Sequence, residues 1–162
     1  YLVGENADTA IVLTKINALT GELVKEIVVT EDYFADFMDA NGQLPFNREN
    51  AATDENGNVV VTWDAALFGS QSDAMARIFN SNLEPLTPTF YCFKNHNSQA
   101  DGDQGIYLHE GDIAMDNQRI VISFNGTFLD PTTGALTAAE QTIATVIENP
   151  ARPQAVTDWE LQ

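Results

Sequence analysis

Between Lys94 and Gly105 the chain carries a dense run of oxygen-bearing side chains, Asn97-Ser98-Gln99-Ala100-Asp101-Gly102-Asp103, with Glu110 and Asp112 just beyond. Calcium takes several oxygen ligands at roughly 2.3–2.6 Å, and alternate residues of a tight loop can supply them. Asn97, Gln99, Asp101, Asp103 and Glu110 are therefore the candidate calcium ligands. The competing reading is a solvated turn, because Asn, Asp and Gly also favour turns for their backbone preferences. His96 and His109 flank the loop, and with Glu110 they number three, the minimum for a zinc site; no tight helical spacing brings them to one face. Asp101 or Asp103 with Glu110 would be an acid–base pair of the kind that cleaves glycosides, but acidic loops are ordinary in so acidic a chain. Ser70 and Ser72 lie in a Gly/Ser loop without the context of a nucleophile elbow, and no glycine-rich phosphate loop is present. No catalytic set emerges, and the chain is expected not to be an enzyme.

Seven basic residues against 24 acidic ones leave a net charge of −17 over 162 residues. That charge argues against nucleic acid and against anionic membrane surfaces as partners. It suits a soluble extracellular protein, a cation-binding surface or a salty habitat. An apolar content of 44% is enough for a true core. Cys92 is the single cysteine, so neither an intrachain disulfide nor a cysteine zinc site can form. Its setting, Thr89-Phe90-Tyr91-Cys92-Phe93, predicts a buried strand. No apolar run approaches the ~18–20 residues of a membrane span. The opening Tyr1-Leu2-Val3-Gly4 resembles the end of a strand and has no initiating Met, as expected of a processed chain or a piece of a longer one.

The elements that must position these residues centre on Ala51–Trp63. Asp54-Glu55-Asn56-Gly57-Asn58 is a turn cluster. Val59-Val60-Val61-Thr62-Trp63 is β-branched and aromatic throughout and predicts a buried strand. Strands are also expected at Ala10–Ile16, Glu22–Val29, Ala74–Asn80, Leu86–Phe93 and Arg119–Phe124. Gln43–Asn50 and Asp64–Ser72 read as loops. Thr30–Gly42 breaks the pattern: Thr30 can cap a helix, Glu31 and Asp32 suit its first turn, and Tyr33, Phe34, Phe37 and Met38 share a helical face. A short helix is expected near residues 31–41. Thr137–Glu148 carries both a capping box, Thr137 with Glu140, and a β-branched run; the repeat favours strand.

Two patterns repeat. Asp112–Phe124 copies the central stretch with one turn residue removed: Ala114 stands for Ala52, Asp116 for Asp54, Ile120-Val121-Ile122 for Val59-Val60-Val61, and Phe124 for Trp63. Lys15–Leu23, Ile78–Leu86 and Phe128–Leu136 form a second set, in which Ile16, Phe79 or Leu129 precedes Asn17, Asn80 or Asp130, then a turn and a leucine. Each unit is a polar-tipped hairpin with apolar flanks. Sheet units repeating at this spacing mean a propeller or a stacked β array.

Ala52-Thr53-Asp54-Glu55-Asn56-Gly57-Asn58-Val59-Val60-Val61-Thr62-Trp63 and Arg77-Ile78-Phe79-Asn80-Ser81-Asn82-Leu83-Glu84-Pro85-Leu86 resemble the two halves of a blade in secreted bacterial β-propeller proteins. The second half lacks the family's glycine, and Asp112–Phe124 has no counterpart of Gly57. Residues 97–103 resemble the calcium loops inserted in some propellers and in helix–loop–helix proteins, with Asn97 and Gln99 where acids are usual and Gly105 and Leu108 where the last acid would fall. The helical insert is foreign to the pattern, and some two and a half blades are present where propellers close with roughly 4–8.

The expected fold is all-β, repeated antiparallel hairpins forming a β-propeller-like segment or, alternatively, a β-sandwich. Residues 1–150 form a single β-repeat domain, and 151–162 a C-terminal extension or edge strand, with Trp159 a candidate docking residue. The expected function is an extracellular or cell-surface structural and adhesive module. Its partners are copies of itself or other chains of an assembly, without nucleic acid or membrane insertion. The rivals are a calcium-dependent glycan- or ligand-binding module and a piece of a propeller enzyme. Asn125-Gly126-Thr127 is an N-glycosylation sequon.

Overall fold

The unbroken β-branched run from Val59 to Trp63 lies at the centre of the molecule, buried on both faces. The computed structural model describes residues 1–5, 10–31, 46–66, 72–93, 108–109, 112–126 and 141–152. Among these, eleven strands and no helix occur, in three antiparallel sheets. Sheet A joins β1 (Leu2–Glu5), β2 (Ile11–Ile16) and β3 (Leu23–Val28) in that order. Sheet B is a four-stranded meander of β4 (Phe46–Thr53), β5 (Val59–Ala66), β6 (Ser72–Phe79) and β7 (Phe90–Phe93). In sheet C, β10 (Arg119–Gly126) pairs with β11 (Gln141–Glu148) on one side and with β8 (Leu108–His109) and β9 (Ile113–Met115) on the other.

Sheet B is the middle layer. Strand side chains alternate between faces, so β5 and β6 feed two cores. Val59, Val61, Trp63, Met75 and Phe79 pack with Ile11, Leu13, Val29 and Leu83, and partly buried Tyr1, Val3 and Ile27 close that core. Val60, Ala74, Ala76, Ile78 and Cys92 pack on the other side against Ile120, Ile122 and Phe124. Each large apolar side chain so buried contributes about 1.5–3 kcal/mol relative to exposure. Arg77 is buried in the first interface. Its guanidinium donates to the Val29 carbonyl at 2.7 Å, pairs with Glu31 at 3.6 Å and lies over the Phe79 ring.

The all-β reading, Cys92 in a strand, and Trp63 and Phe124 in the core agree with the structure. So does strand over 141–148. Three expectations change. Residues 46–50, read as loop, belong to β4, and β5 continues through Asp64 to Ala66. Asn47, Arg48, Glu49 and Asn50 have little β propensity, but pairing to a buried strand decides the local structure. Strand β7 begins at Phe90 rather than Leu86, with Pro85 making only an isolated bridge to Phe79. Thr30 and Glu31 lie in a turn rather than a helix; the rest of the expected helix, like the hairpin at Phe128–Leu136, lies outside the described residues. No closed ring is present among the described residues: the three sheets form an open stack.

Candidate functional site

The polar groups that the structure brings together lie at one end of the stack. There the chain leaves β2, β4, β6, β9 and β11, and each exit is closed by an Asn or Asp whose side chain accepts from the backbone two to four residues on. Asn17 Oδ1 accepts from the amides of Leu19 and Thr20. Asp54 Oδ1 accepts from Asn56 and Asn58, and Asn80 Oδ1 from Asn82 and Glu84. Asp116 Oδ1 accepts from Gln118 and Arg119, and Asn149 Oδ1 from Ala151. These short side chains bond locally where a turn leaves backbone donors unpaired.

Two of these residues also bridge layers. Asn149 is fully buried, and its Nδ2 donates to Asp54 Oδ2 at 3.1 Å and to the Asp116 carbonyl at 2.8 Å. Asp54 Oδ2 also accepts from Asn58 Nδ2 at 2.7 Å. A buried carboxylate is tolerated where hydrogen bonds replace its water, and here four N–H donors do so. Nearby, Asn117 accepts from Asn56 and donates to Glu55, joining sheets B and C at the surface. On the sheet A side, Tyr1 Oη donates to the Gly57 carbonyl, Lys15 Nζ to that of Ser81 and Lys25 Nζ to that of Asn82. Burial and the Asp54 charge push the Tyr1 phenol above its ordinary value. Burial pushes the Cys92 thiol up to about 12, so it is not a ready nucleophile. The two Asp116 backbone donors hold its carboxyl below the usual range. This end is a clasp: its donors and acceptors are spent on one another.

The predicted ligands Asn97, Gln99, Asp101, Asp103 and Glu110 lie outside the described residues, as do His96, Ser70 and Trp159. His109 is in β8, opposite Asn125. Asp112 is exposed, exchanging backbone and hydroxyl hydrogen bonds with Ser123. Among the described residues no three His, Cys, Asp or Glu side chains are grouped to hold a metal. Asn125 of the sequon sits in a strand, accepting from Thr142 Oγ1 at 2.6 Å.

The remaining candidate is the pair of outer sheet faces. The sequence repeat is also a repeat of register. Thr53 pairs with Val59 and Met115 with Ile120 across the two turns. Farther along, Asn47 pairs with Asp64 and His109 with Asn125. Between these pairs β4 carries a bulge, residues 48–49 standing opposite Trp63. The copy thus extends upstream to Phe46 and Leu108. Sheet A matches sheet B from Asn17 and Asn80 backwards, which places Leu2 with Val61, Val12 with Met75 and Ile16 with Phe79.

These equivalences give each outer face a buried counterpart. Val61 is inaccessible beneath sheet A, whereas Leu2, at the same position of sheet A, is 58% exposed. Val60 and Ile78 are buried beneath sheet C, whereas Val121 and Val146, their equivalents in sheet C, are 39% and 62% exposed. Glycine-like turn signals marked the hairpins in the sequence, but nothing there told a covered valine from an uncovered one. Comparison with protein-family models, with curated proteins and with solved structures finds no match for this chain.

Proposed function

We propose that this chain is a non-catalytic structural module of an extracellular assembly, acting through association with further sheet repeats. The observation that carries this reading is the pair of apolar outer faces, each built at positions that sheet B buries. Exposed contiguous apolar surface on a soluble, highly charged chain marks an interaction site. Open sheet edges add to this: among the described residues nothing pairs with the free side of β1 or of β11, and such edges accept another strand. The acidic surface and the resemblance to secreted propeller repeats support placement outside the cell. Mutual repulsion of chains with a net charge of −17 opposes association at low salt and is screened as the Debye length falls, from about 10 Å at 0.1 M to about 3 Å at 1 M. Sedimentation velocity over a wide concentration range tests the reading. The expected result is a species that grows with concentration and with salt; a monomer at every concentration and salt would sink it.

A further inference from the structure

We infer that the partner is a second copy of this chain, seated head to tail, with the outward face of its sheet A covering the outward face of sheet C. This rests on the assembly reading above and adds to it the partner and the faces. Sheet B supplies the template, because it uses both kinds of face inside one molecule. Its C-facing side carries Val60, Ile78 and Phe90 among the smaller Ala74 and Ala76. The side of sheet C that meets it carries Ile113, Met115, Ile120, Ile122 and Phe124. Its other side packs Val61, Trp63, Met75 and Phe79 against sheet A.

The outer faces continue the same register. Cross-strand pairing sets Ala114, Val121 and Val146 in one row of sheet C and Ser123 beside Ala144 in the next. The outward rows of sheet A hold Leu2 beside Thr14 and Glu26, and Val12 between Gly4 and Val28, with Ile16 farther along. Glu26 is the one acidic residue among those seven. Within the molecule Val60 and Ile122 share a core. Their equivalents at the two outer faces are Val121 and Leu2, which this contact would bring together between copies. Both interfaces inside the molecule set positions equivalent to the outer face of sheet C against positions equivalent to the outer face of sheet A, so neither like pairing has a counterpart in the template. The contact is heterologous. Three sheets per copy make six in a pair, within the roughly 4–8 over which radial sheet repeats close, so a closed dimer is the expected species.

The test uses Leu2→Asp, which damages the A face, and Val146→Asp, which damages the C face, each followed by sedimentation velocity. Leu2→Thr and Val146→Thr serve as milder versions, and unfolding curves for all four show that the fold survives. Each Asp variant alone is expected to raise the dissociation constant at least about tenfold, since about 1.4 kcal/mol per lost contact suffices for that. Mixed in equal amounts, the two variants regain a two-copy species, because one intact A face meets one intact C face. If only one of the two variants dissociates the assembly, or if the mixture stays monomeric, like faces or other surfaces pair; this inference falls and the assembly reading stands. If the unaltered chain never associates, both fall.

Discussion

The hairpins β4–β5 and β9–β10 have the same register and the same Asp-closed turn, yet they live in different environments. Val60 is inaccessible and Val121 is 39% exposed at the equivalent position. The Asp54 carboxylate is buried and accepts from Asn149 of the neighbouring sheet, whereas the Asp116 carboxylate is exposed and accepts from its own turn. One sheet has a neighbour on each face and the other has a neighbour on one. The difference teaches that the repeat encodes strands, turns and faces locally, while burial depends on what is stacked next. A face designed for burial and left open is the signal of a missing neighbour.

The largest expected effect breaks this comparison at the two valines. Val60→Asp places a carboxylate between sheets B and C, where neither water nor a partner can satisfy it, and is expected to cost more than about 4 kcal/mol. Val121→Asp is expected to change the stability of the isolated chain by less than about 1 kcal/mol, while weakening association. Chemical denaturation of both variants at low protein concentration checks this. Equal losses would mean that the outer face of sheet C is already covered.

Next come the two turn aspartates. Asp54→Ala removes the acceptor of four donors, one of them from the buried Asn149 amide, which keeps its bond to the Asp116 carbonyl. A loss of about 3 kcal/mol is expected, or roughly 6–12 °C in Tm for a chain of this size. Asp116→Ala loses only local turn bonds in water, and its loss of stability is expected to be clearly smaller than that of Asp54→Ala. Smaller still is the contrast between two glycines with positive φ. Gly57 has φ of +79°, and a Cβ there would meet Ser81 Cβ at 3.3 Å; Gly21 has φ of +73° and open space. Gly57→Ala is expected to cost about 1–2 kcal/mol and Gly21→Ala about 1 kcal/mol, the difference being the sheet contact.

The smallest effect is electrostatic. The Asp116 carboxyl is held below its ordinary 3.8 by the amides of Gln118 and Arg119. A depressed folded value means stabilisation that is present above the unfolded value and lost as pH falls through the folded one. Relative to Asp116→Asn, the unaltered chain should therefore be slightly more stable at neutral pH, with the advantage vanishing below 3.8. Paired thermal scans across that window measure it.

The fold was legible where the chain is locally emphatic. The β-branched run at Val59–Val61, its echo at Ile120–Ile122 and the turns opened by Asn or Asp carry their conformation in their own chemistry. Strand β4 was not legible, because Asn47, Arg48, Glu49 and Asn50 are strand only through pairing with β5. The start of that repeat was missed for the same reason. Asn149, followed by Pro150, has nothing in its local sequence to mark burial; it is fully buried where Asp54 and Asp116 converge on it from other hairpins. The open faces could not be read from sequence at all: Val60 and Val121 are the same residue type in the same local pattern, and a third sheet alone separates them. The acidic loop at 97–103 lies outside the described residues, so the proposed function stands on the faces and not on that loop.

The central claim is that Leu2, Val121 and Val146 are solvent-facing in the single chain and covered in the assembly. Hydroxyl-radical footprinting of the unaltered chain over a concentration series tests it most directly. Leu19, 96% exposed at a turn, is the internal control. The account predicts that the three face residues lose label together as the chain is concentrated, while Leu19 keeps its label. Unchanged labelling of all four at concentrations where the mass has grown would contradict it.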